Sequence, residues 1–350
     1  MMAKSLSTLS ATSALLSSTI RRSQGEMARL QGEVASGRRT DVGLQIGSAS
    51  ATLVSFHQEV SVLKTAIDAN NQIAGRLDAS QDALSSIVSN AQAALKSAVS
   101  ARGNPQAREV AAKEARGALQ SFIEAANTSY GGVYIFGGLN TQTAPFEYYF
   151  ATPAPASRVS FEAAFLGAFG FEIDDPAAQT ISVSSMQAFL DSDFASLFGD
   201  AGWESNWTSA TPQGTTSLIS MRQTATASVS AHAEAFRKIA SSLVMVAELG
   251  SASVNDAAFD AVADLAATGL SEGIALMGGL QSGLGVVQEQ TTDATNIMAR
   301  RLDLANEEVS RTEQVDLAEL SVRLNTLMNQ LEATYAVTGR LQQLSLLNTI

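Results

Sequence analysis

The chain has 350 residues, no cysteine, two histidines and a formal net charge of −12. With no thiol there can be no disulfide framework, cysteine zinc site, iron–sulfur cluster or thiol nucleophile, and two histidines leave little for a His-based metal centre or triad. At 45% hydrophobic and 16% charged residues it is neither a disordered polyampholyte nor a membrane protein, and its acidity argues against nucleic acid, whose phosphates need clustered Lys and Arg.

The composition is uneven along the chain. Residues 130–215 hold 16 of the 21 aromatic residues, five of the six prolines and a net charge of −8. Residues 1–129 carry +3 and residues 216–350 carry −7. This reads as two aromatic-poor arms around an aromatic, acidic insert. The expected divisions are an assembly helix over 1–35, the first half of a helical core over 36–129, a β-rich inserted domain over 130–215, the second half of the core over 216–312, and a second assembly helix over 313–350.

At the N-terminus, Lys4 precedes a stretch in which Ser and Thr interrupt the apolar residues from Leu6 to Ile20. That is too polar for the core of a signal peptide, and no apolar run reaches the ~18 residues of a membrane span, so neither a cleaved secretory leader nor membrane insertion is expected. Leu6, Leu9, Leu16, Ile20, Met27, Leu30 and Val34 are spaced as the seam of a heptad repeat. Gly37 and Asp41 break the helix in the segment 35–43. A second seam runs without a phase slip from Leu53 through Phe56, Val60, Leu63 and Ile67 to Leu84, Val88, Ala91, Leu95 and Ala98. Gly103-Asn104-Pro105 ends it, and a shorter helix is expected over about 106–128.

In the insert, Val133–Phe136 forms a β-type run between glycine pairs, and Thr180–Ser184 alternates as a half-buried strand does. The phenylalanines read as the core of that domain. Beyond it, Leu218, Met221, Ala225, Val229, His232, Phe236, Ile239, Leu243 and Val246 are spaced as one face of a helix. After a turn at Gly250 and Asn255, a stripe from Met277 through Leu284, Thr291 and Met298 to Val309 passes into Leu317, Leu320, Leu324, Leu327, Leu331, Tyr335 and Leu341. An isolated amphipathic helix is marginal in water. Residues 1–35 and 315–350 are therefore expected to be labile alone and to order against each other and against neighbouring copies.

No catalytic, metal or cofactor site emerges. His57 and His232 read as packed or partly exposed helical residues, with no carboxylate and nucleophile set beside them. Asp174-Asp175 and Asp191/Asp193 lack the spacing of a calcium loop. Gly278, Gly279, Gly283 and Gly285 lie inside a helical stripe and read as close-packing positions, not as a phosphate loop. The arginine pairs 21–22, 38–39 and 300–301 are isolated solvated faces. No enzyme is expected.

Three stretches nevertheless resemble one family. The C-terminal run Asp316–Leu320, Leu331–Tyr335 and Leu341–Asn348 resembles the end of bacterial flagellins and flagellin-like junction proteins. The turn Val34-Ala35-Ser36-Gly37-Arg38-Arg39 is similar to the basic turn that those proteins place between heptad helices. Tyr134-Ile135-Phe136-Gly137-Gly138-Leu139-Asn140-Thr141-Gln142-Thr143-Ala144-Pro145-Phe146 resembles the aromatic-Gly, Thr-x-Thr-x-Pro-Phe stretch of the hook–filament junction proteins within that superfamily. Residues 151–213 match nothing in it, and Thr40–Leu44 stands where the family carries an Asp-Asp run.

The resemblance implies a mainly α fold, with long paired N- and C-terminal helices forming a coiled-coil bundle around the small inserted domain. It implies a secreted structural subunit of the bacterial flagellum, exported unfolded by the type III apparatus, a route that a cysteine-free chain suits. Its place would be the hook–filament junction, with other copies of itself in a ring, a neighbouring hook-associated protein, flagellin and a flagellar export chaperone as partners. Subunit packing would fall to Leu6, Leu9, Leu16, Ile20, Met27, Leu30 and Val34 with Leu317, Leu320, Leu324, Leu327, Leu331, Tyr335, Leu341, Leu344 and Leu347. The other readings are filament flagellin itself and a secreted helical adhesin.

Overall fold

The computed structural model describes the backbone of residues 2–40, 49–220, 223–251 and 253–347, and the side chains of 14–40, 50–220, 223–251, 253–340 and 343. The long helices are α1 (Met2–Ser36), α2 (Ala49–Ala101), α3 (Pro105–Ala126), α6 (Glu234–Leu249), α7 (Asp256–Glu313) and α8 (Leu317–Leu347). Between them lie α4 (Ala156–Phe169), α5 (Val183–Phe189) and two antiparallel hairpins, β1–β2 (Ser129–Tyr130 with Val133–Tyr134) and β3–β4 (Thr216–Ser220 with Gln223–Thr226). The chain is mainly α, as its periodicity predicts. It divides into two compact units, residues 1–64 with 299–350 and residues 65–298, the boundaries falling inside α2 and α7.

Along α2 the heptad is visible in burial. Leu63, Asn70, Leu77, Leu84, Ala91 and Ala98 are fully buried, and Val60, Ile67, Ala74, Gln81, Val88 and Leu95 are half-buried. From Ser80 onward a second row, Ser80, Ile87, Ala94 and Ala101, is buried as well. A broader stripe means more than one packing partner, as a helix entering a core requires.

The core of the 65–298 unit is built around α6. Every residue from Ser242 to Leu249 is buried, and a helix apolar all round is an interior helix. It packs most closely on α3. That helix begins with Pro105 at its first position and Asn104 as cap, the Asn104 side chain accepting from the Ala107 amide. Gly269 and Gly273 let α7 approach α6 closely, since a Cβ would stand 2.3 Å from Ser242 Oγ or 2.7 Å from Ile239 Cγ1. Arg108 closes the C-terminal end of α6. Its guanidinium donates to the carbonyls of Leu249 (3.0 Å), Gly250 (3.0 Å) and Val254 (2.6 Å) and lies 4.7 Å above the Phe259 ring. Carbonyls at a helix end have no intrahelical partner, so a buried cation there satisfies them and meets the negative end of the dipole.

A chain of aromatic contacts extends this core into residues 130–215. Phe122 meets Phe236 and Phe146, Phe146 meets Trp203, and Trp203 stacks on Trp207 at 5.5 Å. Trp207 touches Tyr149 and Phe198, and Phe198 leads through Phe194 to Phe161. Here the structure differs from expectation. The β content of 130–215 is confined to the β1–β2 hairpin and a single antiparallel bridge between Phe146 and Thr208, and the remaining regular structure is helical. Phe161, Phe165 and Phe169 recur every four residues because they share one face of α4. The alternating Thr180–Ser184 run is the end of a 3₁₀ turn and a helix cap: Ser182 Oγ accepts from the Ser185 amide at the start of α5. Serine favours such caps, and a cap mimics strand alternation.

A second correction falls at 216–226. The spacing of Leu218, Ala225 and Val229 reads as a helix face, yet the chain forms the β3–β4 hairpin, with Leu218 exposed and Ile219 buried. Thr and Ser dominate the run, and β-branched residues lose side-chain freedom in a helix and suit a strand. Asn70 holds the hairpin onto α2 by donating to the Ile219 carbonyl (2.9 Å) and to Thr295 Oγ1 (3.0 Å). His232 sits in the turn before α6, 3.0 Å from Glu204 Oε1, rather than on a helix. Met221 lies outside the described residues.

Candidate assembly interface

In the terminal unit α1 and α8 pack on each other. They run antiparallel, since Arg38 pairs with Gln314 at one end and Gln24 Nε2 donates to Tyr335 Oη (2.8 Å) further along. The pairing begins at a built turn. Gly37, at φ 68°, ends α1 with its amide on the Glu33 carbonyl (2.8 Å), the left-handed C-cap that glycine adopts without strain. The Arg39 amide then donates to the Glu313 carbonyl (2.9 Å), and the Val315 amide to the Gly37 carbonyl (3.3 Å). Asp316 caps α8, its carboxylate accepting from the amides of Ala318 (2.9 Å) and Glu319 (3.2 Å).

Two carboxylates fasten this turn. Glu33, buried on α1, accepts from Arg29 (2.7 Å) and from the Thr40 amide (3.0 Å). Glu313, at the end of α7, receives His57 Nε2 from α2 at 2.8 Å and Arg38 at 3.5 Å. Arg29 also pairs with Glu26, whose carboxyl that hydrogen bond holds below its ordinary value. Sequence reasoning missed Glu33, Glu313 and their partners. The only local signal is the i,i+4 spacing of Arg29 and Glu33, because His57 and Glu313 stand 256 positions apart.

The residues expected at subunit contacts fall into three sets. Leu30, Leu320 and Leu331 are buried, and Leu16, Ile20, Met27, Val34, Leu324 and Leu327 are half-buried. Leu317 and Tyr335 are each 50% exposed, and with Val322 (67%) and Val337 (49%) they leave much of α8's apolar surface uncovered. The side chains of Leu6, Leu9, Leu341, Leu344 and Leu347 lie outside the described residues, as does the Asp41–Leu44 part of the connector. One partner helix can cover one stripe, so an antiparallel pair leaves the flanks of each helix apolar and open.

Among the described residues no group of three or more His, Asp or Glu is placed to hold a metal, and no helix is long and apolar enough to cross a membrane. An open cavity of about 420 Å³ between the helical turns of residues 190–198, α6 and α7 has two cations on its rim, and both are spent: Arg237 pairs with Asp200, and Lys238 with Glu272 at 2.7 Å. The glycines at 278, 279, 283 and 285 are not packed within this chain, since a Cβ at each would meet nothing within 4 Å.

The motif Tyr134–Phe146 is folded inward. Phe136 and Phe146 are buried, Asn127 exchanges two hydrogen bonds with the Phe146 backbone (2.8 and 2.9 Å), and the Ala231 amide donates to the Phe136 carbonyl (2.8 Å). Gly138, at φ 66°, leaves no room for a side chain, as a Cβ would lie 2.4 Å from the Thr211 carbonyl. The motif therefore locks the insert to the helical core.

Long terminal helices that pair at a stapled turn, keep an open apolar face and flank an inserted aromatic unit define a self-assembling structural subunit. The family comparisons give the class a name. Residues 6–141 match the bacterial flagellin N-terminal helical region and residues 268–350 match the bacterial flagellin C-terminal helical region. The chain belongs to the bacterial flagellin family and is a structural component of the flagellum. Among solved structures it is similar in fold to a chain from Vibrio parahaemolyticus described as a flagellar hook-associated protein, at TM-score 0.53 and 11% identity, over 77% of this chain and 99% of that one. No curated protein sequence matches significantly.

Proposed function

We propose that this flagellar subunit stands at the hook–filament junction and joins the hook to flagellin through its terminal helices. The observation that carries the reading is the inward-folded Tyr134–Phe146 segment. Its glycines and aromatics have fixed structural tasks here, and its sequence resembles that stretch of the junction proteins. The fold likeness to a hook-associated chain supports it. The uncovered face of α8 supplies surface for other copies in a ring, for a neighbouring hook-associated protein and for flagellin. The same face, presented before export, suits a chaperone. In this proposal 1–35 and 313–350 are the assembly helices, 36–129 and 216–312 the two halves of the core, and 130–215 the insert. The heptad residues from Leu6 to Val34 and from Leu317 to Leu347 pack subunits together.

Deletion of the gene tests the position. Electron microscopy is expected to show bare, intact hooks, with flagellin monomers released into the medium. A capped hook without filament would overturn the junction reading in favour of filament flagellin.

A further inference from the structure

A trough follows the N-terminal part of α7 on the surface of the 65–298 unit. The cavity of about 420 Å³ beside α6 adjoins a second, of about 500 Å³, between α5 and α7; Leu190, Asp191, Leu265 and Thr268 line both. Together they run along α7 from Ala257 to Glu272, a distance of about 22 Å at the rise of an α-helix. One wall is α5 with the helical turns of residues 190–198, and α6 closes the other side beyond Leu265.

Two properties of the lining set its chemistry. The floor is apolar. Leu190, Phe194 and Met245 are buried in it, and Val183 and Leu265 at its edges are 38% and 36% exposed. The rim carries surplus negative charge. Its cations are already matched, Arg237 by Asp200 and Lys238 by Glu272, and Arg102 from the end of α2 neutralises Asp264. The carboxylates of Asp191 and Glu234, by contrast, have no partner among the described residues, and that of Asp260 accepts from the Gly103 amide (2.8 Å). An apolar hollow open to water beneath a charged rim has the form of a recognition groove.

We propose that this trough is a docking site for a partner protein that presents a short amphipathic helix, apolar on one face and edged with Lys or Arg. Apolar side chains at i, i+3, i+4 and i+7 would seat on the Leu190, Phe194 and Met245 floor, as in other helix-in-groove complexes. Cations on either side of that face would meet Asp191 and Glu234, which gain a partner only on docking. Opposite charge across the contact selects the partner and speeds encounter, and it makes binding weaken with salt. The same carboxylates repel phosphate, which argues against an anionic lipid surface or a nucleic acid as the occupant. The trough is walled, which suits a helix better than a flat membrane.

The probe is a labelled peptide of about 14 residues built from Leu and Lys in helical spacing, with a Leu and Glu peptide of the same pattern as control. Binding to the full-length protein is followed by fluorescence anisotropy at low salt. The Lys peptide is expected to bind and the Glu peptide not. Asp191→Asn with Glu234→Gln should weaken the Lys peptide about tenfold, the effect of two lost surface pairs, and Leu265→Gln should weaken it as well. Asp68→Asn with Glu124→Gln removes the same charge from exposed positions outside the trough, and should leave the affinity within about twofold if attraction to the net charge alone is minor. Equal effects of the two double variants, an unchanged affinity on losing Asp191 and Glu234, or no preference for the Lys peptide overturns the proposal. Both tryptophans of the chain lie in this unit, so their fluorescence on unfolding checks that each variant is folded. Should Leu265→Gln lower stability, the two carboxylate pairs decide alone, since all four residues are exposed and unpaired.

Discussion

The two units satisfy their hydrophobic residues to very different degrees. Among the described side chains of the terminal unit, the buried apolar set is Leu30, Leu53, Leu63, Ala305, Val309, Leu320 and Leu331, with no aromatic residue. In residues 65–298 the buried set holds Phe122, Phe136, Phe146, Tyr149, Phe161, Phe165, Trp203, Phe236 and Phe259 around an interior helix. One unit closes its own core. The other spreads its apolar residues along α1, α8 and the ends of α2 and α7, and leaves part of the apolar face of α8 uncovered. That difference is what a self-assembling subunit needs: a body that is folded before contact and ends whose stability depends on contact. An edge that was satisfied alone would have no reason to assemble.

The largest expected effect follows from this contrast. Removing residues 331–350 deletes Leu331, Tyr335 and the heptad positions beyond them, and is expected to abolish polymer formation in a sedimentation assay. The tryptophan-monitored unfolding of the 65–298 unit should not move, and normal filaments from the truncated protein would break the comparison. Amide exchange on the monomer sharpens the same point. Protection in α6 should approach the global limit, while α1 and α8 exchange by local opening. Strong protection of both termini in the monomer would show that they need no neighbour.

Next in size are changes inside the closed core. Trp203 is fully buried, and its indole N–H donates to the Ala231 carbonyl at 3.2 Å. Trp203→Ala is expected to cost about 3–5 kcal/mol in denaturant unfolding, the range for truncating a buried aromatic. Leu30→Ala, in the terminal unit, should instead reduce assembly and leave the unfolding of the core unchanged. Arg108→Met keeps the aliphatic stem but leaves the carbonyls of Leu249, Gly250 and Val254 without a donor. A loss of about 2–3 kcal/mol is expected, since unsatisfied buried acceptors cost more than the bonds contribute net.

What the sequence made legible follows the same division. Helices α2, α7 and α8 could be read because one heptad rule operates over many turns, and burial along α2 repeats it residue by residue. The insert was less legible because its order is set by contacts between distant residues. Phe146 meets Trp203, and Tyr149 meets Trp207, across more than fifty positions. The apolar spacing from Leu218 to Val229 imitated a helix for three turns, but Thr-rich local preference and the Asn70 anchor on Ile219 decided for a hairpin. The turn that staples α1 to α8 was visible as a glycine and two arginines. Its working carboxylates, Glu33 and Glu313, were not, because their partners come from another turn or another helix.

The smallest effects separate glycines that serve this fold from glycines that do not. Gly273 lies where α7 meets α6, and an added Cβ would sit 2.7 Å from Ile239 Cγ1 and 3.2 Å from the Ile239 amide nitrogen. Ile239 is itself fully buried, so neither atom has room to retreat. Gly273→Ala should therefore destabilise the core by about 1–3 kcal/mol, the cost of overpacking. Gly279 stands two turns further along the same helix on an exposed face, with nothing within 4 Å of its would-be Cβ. Gly279→Ala should stabilise the monomer by about 1 kcal/mol, because alanine restricts the unfolded chain and favours the helix. The pair is read by tryptophan-monitored unfolding, and opposite signs are the expected result. If Gly279→Ala destabilised the monomer as Gly273→Ala does, the exposed face of α7 would be closed within the chain, and the line between a finished core and unfinished ends would have to be redrawn.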